Sequence, residues 1–348
     1  MDSRSPSEKH TSIYDIAKMA GVSPTTVSKV INGRYGVSEK TCKKVQAVLS
    51  QTGFMPRISV NQMNYIAVIY SSQKSEVFDS PFTRRVLKGI DDVIHNSDYY
   101  LTLIPFKGLP KTREEFTVFC HRQRIAGFVF LDMTRGIESN LVTQVSGSVP
   151  FVILNDRYTD AENTFSVTSN DYFGAYRAVT YLIECGHRRI AMASLPSSTH
   201  LSHEERREAY GMALKSHGIP CNPSYEFDVG GISYERFCAL FSEWEQKNAV
   251  PTAIFCIDDS QALVVLQYLQ RMGKRVPEDI SLVGFDDDDY DTIVTPHLTT
   301  VRQRLFEKGQ RAAQIILDVL AGELSCTDDT RDQVFETELV IRDSVVRL

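Results

Sequence analysis

The sequence predicts an α/β protein in which a small all-helical head precedes a larger core of doubly wound parallel sheets. Residues 12–53 carry three short amphipathic helical patterns. From residue 65 onward, short apolar runs alternate with helical patterns, an order typical of βαβ units in parallel sheets. The two parts also differ in charge, because residues 1–57 carry a net +5 while the whole chain carries −6 and the remainder −11. A polyanion is therefore expected to bind the head and to be repelled by the core.

The first two helices of the head are separated by a tight turn. Apolar residues recur in the first helix at three- and four-residue spacing: Ile13, Ile16, Ala17 and Ala20. Gly21 is expected to end this helix, since glycine enters the left-handed region without a steric penalty. Ser23 is placed to cap the second helix, and Pro24 suits its first turn because proline has no N–H to satisfy. This arrangement predicts a helix-turn-helix unit.

The second helix has a polar face that suits DNA. Its apolar side is expected to pack on the first helix through Val22, Val27, Val30 and Ile31. The opposite side carries small hydroxylated or basic side chains: Thr25, Thr26, Ser28 and Lys29. A third helix, from Ser38 to Gly53, supplies the rest of a small core. Such a face fits the major groove, although a purely structural helical hairpin would show the same glycine and N-cap.

The core contains continuous apolar runs, as expected for parallel strands that are buried on both faces. Seven runs are predicted to be strands: Tyr65–Tyr70, Tyr100–Pro105, Gly127–Leu131, Phe151–Leu154, Ile190–Ser194, Thr252–Cys256 and Ile280–Phe285. Five intervening stretches are predicted to be helices: Phe82–His95, Tyr172–Cys185, Glu204–His217, Tyr234–Lys247 and Asp259–Met272. This number of strands favours two sheets over one.

Polar residues follow several of these strands, where ligands bind in open parallel sheets. The four stretches are Asp79–Phe82, Asn155–Arg157, Asp258–Asp259 and Asp286–Asp289. Carboxylates and amides that converge with an aromatic ring suit a neutral polyhydroxylated ligand, since they accept hydrogen bonds while the ring packs on C–H groups. The alternative is that each aspartate caps the next helix. For any single stretch the helix-cap interpretation is favoured. For the four stretches together the ligand-pocket interpretation is favoured.

Composition argues against several other classes of protein. The seven cysteines are scattered and never spaced C-x-x-C, which favours reduced thiols over a disulfide framework or a zinc site. We predict no cofactor and no metal, because the acidic run at Asp286 lacks calcium-loop spacing. His187 is assigned a structural role at a helix C-terminus rather than a catalytic one. Absence of an apolar leader or membrane span predicts a cytoplasmic protein that does not bind membranes.

Several long motifs resemble the LacI/GalR family of bacterial transcription regulators. In the head these are IYDIAKMAGVSPTTVSKVING and VSEKT, from Ile13 and Val37. In the core they are YLIECGHRRIA, VPEDISLVGFDD and PHLTTVRQ, from Tyr181, Val276 and Pro296. The resemblance covers nearly the whole chain. It implies a head that reads operator DNA and a two-subdomain core like a periplasmic sugar-binding protein, with an effector in the cleft.

The resemblance also implies roles for individual residues. Pro24, Thr25 and Lys29 fall where relatives read bases, and Thr26 and Ser28 fall where relatives touch phosphates. Asn32 and Arg34 complete the predicted DNA-binding set. The predicted effector-binding set is Phe82, Asp156, His200, Arg206, Asp258 and Asp286. His200 lies near the position at which purine-responsive members use arginine.

Domain boundaries are expected at residues 1–57 for the head, 58–64 for a short hinge and 65–348 for the core. Within the core, the first subdomain is predicted to span about 65–160 and 296–322, and the second about 161–295 and 323–348. The hinge lacks the leucine that relatives wedge into the minor groove, so Ile58 or Val60 is a candidate substitute. Asp258–Asp259 stands where relatives carry Asn-Asp, so the effector is expected to offer a hydroxyl or an amine there.

These observations predict a non-enzymatic transcriptional repressor that binds a two-fold symmetric operator as a homodimer. A small-molecule effector, preferably a sugar or sugar phosphate and otherwise a nucleobase, is expected to modulate it. The competing interpretation is a sugar-binding protein of the transport or sensing type with no transcriptional role. The core alone would permit that interpretation, but the head opposes it.

Overall fold

The structure is a computed structural model that describes residues 12–31, 37–52, 64–70, 80–131, 137–147, 149–157, 161–195 and 200–348. Predicted DNA-contact residues Asn32 and Arg34 lie outside these residues, as do Ile58 and Val60. No helix among the described residues is long and apolar enough to cross a membrane.

The head is a three-helix unit of α1 (Ile13–Ala20), α2 (Pro24–Ile31) and α3 (Glu39–Thr52), which confirms the three predicted helices. Its buried side chains are Ile16, Ala17, Ala20, Val27, Ile31 and Val45. Gly21 ends α1 in the left-handed conformation, with φ of 62°. Its N–H donates to the carbonyls of Ala17 and Lys18, which satisfies two carbonyls that the helix leaves open.

The first core sheet has six strands, all parallel. In spatial order they are β11 (Asp332–Phe335), β5 (Thr164–Ser169), β4 (Phe151–Leu154), β3 (Ile125–Phe130), β1 (Tyr65–Tyr70) and β2 (Tyr100–Pro105). Its helices are α4 (Pro81–Ile94), α5 (Arg113–Gln123), α6 (Ile137–Val145), α11 (Leu305–Ala321) and α12 (Asp328–Arg331). This sheet and these helices form the first subdomain.

The second core sheet also has six strands, of which only β12 is antiparallel to its neighbour. In spatial order they are β12 (Glu338–Val340), β10 (Thr299–Arg302), β9 (Ser281–Asp286), β8 (Ala253–Cys256), β6 (Ile190–Ser194) and β7 (Glu226–Asp228). Its helices are α7 (Asp171–Glu184), α8 (Leu201–Ser216), α9 (Tyr234–Gln246) and α10 (Asp259–Arg271). This is the second subdomain.

Two glycines bring α4 and α11 into backbone contact. A Cβ on Gly89 would lie 2.0 Å from the carbonyl oxygen of Phe306, and a Cβ on Gly309 would lie 2.2 Å from that of Val86. Any larger residue would force these helices apart. The close approach fixes α11, and therefore the chain that crosses between the subdomains, against α4 of the first subdomain.

The predicted division of the core was wrong in three stretches. Residues 164–169 form β5, which pairs with β4 in the first sheet rather than belonging to the second subdomain. Residues 299–302 form β10, which pairs with β9 of the second sheet before α11 returns to the first. Residues 332–335 form β11, which extends the first sheet beyond β5. In each case the strand belongs to the sheet whose edge strand offers it backbone hydrogen bonds, whichever subdomain the neighbouring stretches of sequence belong to.

Candidate functional site

Helix α2 of the head displays a polar face on a firmly held N-terminus. The Ser23 hydroxyl accepts from the backbone N–H of Thr26 at 3.0 Å, and the two hydroxyls lie 2.8 Å apart. Val27 and Ile31 are buried on the inner side, whereas Thr25 and Lys29 are exposed. Pro24, Thr26 and Ser28 are half-buried around this face. The helix therefore presents one hydroxyl and one ammonium outward, with further hydroxyls at its margin.

In the core, Arg206 on α8 is the centre of a buried charge cluster. Its side chain is 4% exposed, and Oδ1 of Asp171 accepts from its Nε at 2.8 Å and lies 2.7 Å from its Nη2. Its Nη1 donates to the carbonyl of Ile257 at 2.6 Å, and the guanidinium lies 3.7 Å from the ring centroid of Phe285. Burial disfavours the charge, but the nearby carboxylates outweigh it and raise the pKa of Arg206.

Two of the predicted effector residues lie beside this arginine. Asp286 ends β9 with φ of 126° and its Oδ1 is 3.5 Å from Nη2 of Arg206. Burial raises the pKa of Asp286 well above its usual range, although Arg206 opposes the shift. Asp258 is close enough for its charge to raise the pKa of Arg206, and its side chain also accepts from the N–H of Gln261 at 2.8 Å. The helix-cap interpretation is therefore correct for Asp258, which nevertheless lies near the cluster.

The other predicted effector residues lie on surrounding elements. Phe82 is half-buried in α4 and packs on the apolar core of the first subdomain. Asp156 is 3% exposed and accepts from the N–H of Arg157 at 2.8 Å. Arg157 pairs with Glu205 of α8 at 3.5 Å, so the loop after β4 touches the second subdomain beside Arg206. His200 directly precedes α8.

Lys308 and Gln303 were missed by sequence reasoning, although both lie where the chain crosses between subdomains. The Lys308 ammonium is fully buried and donates to side-chain oxygens of Asn155, Ser169 and Gln303 at 2.5, 2.9 and 3.2 Å. Gln303 in turn donates to Asp286 at 2.6 Å. Burial lowers the pKa of Lys308 to about 8. This chain of polar contacts connects the first subdomain to the effector residues of the second.

Three of the four aspartates in the acidic run pair with different arginines, and Asp288 does not do so within the described chain. Asp286 faces Arg206 and Gln303, as described above. Asp287 is bonded by Arg302 at 2.6 Å and by Arg342, and these arginines hold the pKa of its carboxyl below the usual value even though burial raises it. Asp288 is buried, and burial raises its pKa to about 6. Asp289 pairs with Arg85 of α4 at 2.6 Å, across the two subdomains.

His187 is a buried structural residue, as predicted, but not a helix-terminal cation. Its ring is fully buried, with Nδ1 at 3.0 Å from the Thr252 hydroxyl and Nε2 at 3.1 Å from the Val346 carbonyl. Burial lowers its pKa, although the carbonyl acts in the opposite direction. The neutral ring therefore ties β6 to the C-terminal segment.

Comparison with known proteins agrees with this architecture. Residues 12–57 match the model of bacterial regulatory proteins, lacI family, and residues 179–345 match a periplasmic binding protein-like domain. The chain is 29% identical to the probable HTH-type transcriptional repressor ExuR of Bacillus subtilis, over 97% of this chain and 98% of that protein. It is 29% identical to the HTH-type transcriptional repressor PurR of Photobacterium profundum, over 96% and 98%.

A similar solved structure is a complex of the transcriptional regulator CelR with cellobiose. It has a TM-score of 0.67 and 25% sequence identity, and the match covers 96% of this chain and 99% of that one. The same two-part architecture occurs in the lac repressor dimer bound to operator, with a TM-score of 0.65. Both the head and the core thus match one kind of regulator over almost their entire length. The head therefore matches the lacI family of bacterial regulatory proteins, and the chain as a whole is similar to LacI-family transcriptional repressors.

Proposed function

We propose that this repressor binds a two-fold symmetric operator as a homodimer and that a small-molecule effector in the core cleft modulates its affinity. The observation that carries the proposal is the exposed Thr25 and Lys29 face on a capped helix in a basic head. One such helix reads a half-site, so two copies related by a two-fold axis read an inverted repeat. The protein acts where operator DNA lies, in the cytoplasm.

The effector we propose is a neutral sugar in preference to a sugar phosphate. Arg206 is already held by Asp171 and the Ile257 carbonyl, and Lys308 is buried among three side-chain oxygens. A phosphate would have to replace these contacts, whereas sugar hydroxyls can donate to Asp286 and Asp258. The CelR relative, whose solved complex contains cellobiose, favours the same class of ligand.

Coupling between effector and DNA would pass through the crossing segments. A ligand that engages Asp286 alters the group that Gln303 holds, and Gln303 is connected to Lys308 in α11. Any such ligand must change the affinity for operator, and operator must change the affinity for the ligand by the same factor. The coupling free energy is typically about 1–3 kcal/mol.

The test is a titration of the full chain with an operator obtained by selection from random duplexes, in the presence of each of a panel of neutral mono- and disaccharides and their phosphates. We expect one neutral sugar to shift operator affinity by about 5- to 150-fold, and Asp286→Asn to reduce that shift without changing affinity in the absence of sugar. If only phosphorylated sugars shift affinity, the neutral-sugar assignment is wrong. If no duplex is selected, the repressor proposal itself fails.

A further inference from the structure

A cavity of about 720 Å³ lies between the subdomains and is lined by none of the six predicted effector residues. On the first subdomain its walls are the first two turns of α4 and the first turn of α11. On the second they are the segment after β9, the end of β10 and the start of β12. Its lining side chains are Pro81, Arg84, Arg85, Lys88, Asp287, Asp289, Arg302, Gln303, Arg304, Leu305, Phe306, Glu307 and Glu338. Gln303 separates it from the Asp286 cluster, because its Nε2 is bonded to Asp286.

Two of the cations that line this cavity form ion pairs with carboxylates of its own lining. Arg85 donates to Asp289 at 2.6 Å and to the carbonyl of Asp287 at 2.6 Å. Arg302 bonds Asp287 at 2.6 Å and Glu338 at 3.2 Å. These contacts account for three of the four lining carboxylates and two of the five lining cations.

The remaining charges are predominantly positive. Among the residues that the structure describes, no carboxylate lies within salt-bridge distance of Arg84, Lys88 or Arg304. Arg84 donates to the neutral hydroxyl of Tyr290 at 3.4 Å, and its charge also acts to lower the pKa of the nearby Asp288 carboxyl. Glu307 is the one lining carboxylate without a cationic partner in the described chain. Three cations without an ion pair therefore face one carboxylate without an ion pair, in a protein whose net charge is −6.

The backbone adds to this positive potential. Helices α4 and α11 have 14 and 17 residues, and both begin at the cavity. Neither has a side-chain hydrogen bond at its N-cap, so the first N–H groups are not occupied by a capping side chain. Helix N-termini carry a partial positive charge and favour anions.

We infer that this cavity is a second ligand site, separate from the proposed effector cleft, for a small multivalent anion such as a phosphorylated metabolite or a polycarboxylate. Arg84 and Lys88 from α4 and Arg304 from the crossing segment would hold it. A ligand of this size and charge fits a cavity within the usual range for small-molecule sites. Since its walls come from both subdomains, an anion there would favour the arrangement in which Arg85 contacts the segment after β9.

The test is binding of pyrophosphate and of citrate to the full-length protein by isothermal titration calorimetry, at an ionic strength held constant with potassium chloride. We compare the wild type with the triple variant Arg84→Gln, Lys88→Gln, Arg304→Gln. Lys215→Gln serves as a control that removes an exposed cation far from the cavity. Lys29→Gln serves as a second control, because the basic head also attracts phosphate.

Wild type is expected to bind at least one of the two anions with a dissociation constant below about 1 mM. The triple variant is expected to bind about tenfold or more weakly, since three charge-assisted contacts are lost, while both controls stay within about twofold of wild type. Absence of binding by wild type would overturn the site. So would loss of binding in Lys29→Gln, or a triple variant that changes only its oligomeric state and keeps its anion affinity. None of these outcomes depends on operator recognition.

Discussion

The head and the core cleft carry their charges in opposite ways. In the head, Lys29 and Thr25 are exposed on one helix face, and the surrounding net charge is positive. In the core, Arg206 and Lys308 are buried and each is bonded to oxygens of the protein itself. A cation left exposed is available to a partner that brings its own negative charge. A cation already matched inside the protein supports a neutral partner and holds the framework around it.

The largest expected effect follows from breaking the buried cluster. Arg206→Ala leaves Asp171 and Asp286 buried with one cation fewer, which typically costs about 3–5 kcal/mol of unfolding free energy. Arg207→Ala on the same helix removes a partly exposed pair with Glu226 and is expected to cost about 1 kcal/mol or less. Urea unfolding of both variants measures the difference. Equal losses of unfolding free energy in the two variants would contradict the claim that the buried Arg206 pair contributes more to stability than an exposed pair.

Carboxylates inside the core are expected to differ from those on its surface in how their contribution to stability changes with pH. Asp291 is fully buried in the segment after β9. Burial raises its pKa to about 7, so the folded protein keeps a proton that the unfolded chain releases from about pH 4 upward. The stability from this group is therefore present at low pH and lost as pH rises through 7. Asp291→Asn is expected to stabilise the protein at pH 8 by up to roughly 4 kcal/mol, and by less at pH 5.

The matched control is Asp279, whose pKa is lowered to about 2 chiefly by hydrogen bonding to Arg275. Its contribution has the opposite sign, being present above the unfolded pKa and lost as pH falls through 2. Asp279→Asn should give no gain at pH 8. Urea midpoints at pH 5 and pH 8 compare the two variants, and a gain in Asp279→Asn equal to that in Asp291→Asn would contradict this account.

In the head, a charge change is expected to alter DNA binding and leave folding intact. Lys29→Ala should weaken operator binding by about 1–3 kcal/mol, because its ammonium lies on the exposed face of α2. Lys43→Ala removes the same charge from α3, where Lys43 pairs with Glu39 at 2.8 Å, and should have a smaller effect. Fluorescence anisotropy with a selected operator measures both. A larger loss for Lys43 would place the DNA-reading surface elsewhere.

The smallest effect concerns the cap of α2. Ser23→Ala removes the acceptor for the Thr26 N–H and is expected to cost about 1 kcal/mol of stability. Ser23→Thr keeps a hydroxyl and should lose much less. Thermal unfolding of the two variants distinguishes them, and an unchanged melting temperature in Ser23→Ala would remove the cap from this account.

The head could be predicted almost completely from sequence because its signals are local. A glycine, a serine and apolar residues at three- and four-residue spacing determine α1 and α2, and they all lie within twenty residues. The strands with continuous apolar runs were also found, and four of the seven were predicted with the bounds that the structure gives. Among the elements that were not predicted are helices α5, α6 and α11 and strands β5, β7 and β10. Strand β5 reads T-F-S-V-T-S and lacks a continuous apolar run.

The cleft was predicted less completely because its contacts are distant along the chain. Arg206 was identified from the resemblance, Asp258 and Asp286 were also predicted from their positions after apolar strands, and the structure brings the three residues close together. The Lys308 bonds to Asn155 and Ser169 join residues separated by 153 and 139 positions. One local signal existed, since Lys308 lies on the buried face of α11 among Leu305, Ala312 and Ile316. A charged residue on such a face requires polar partners from another part of the chain.

The most direct test of the division between head and core is a selection of random duplexes by the full-length protein, followed by affinity measurement for wild type, Lys29→Ala and Arg207→Ala. We predict an enriched inverted repeat that wild type and Arg207→Ala bind equally and Lys29→Ala binds about 5- to 150-fold more weakly. The affinity of wild type should fall steeply with salt. If no sequence is enriched, or if Lys29→Ala binds the enriched sequence as tightly as wild type, the assignment of DNA reading to α2 is contradicted.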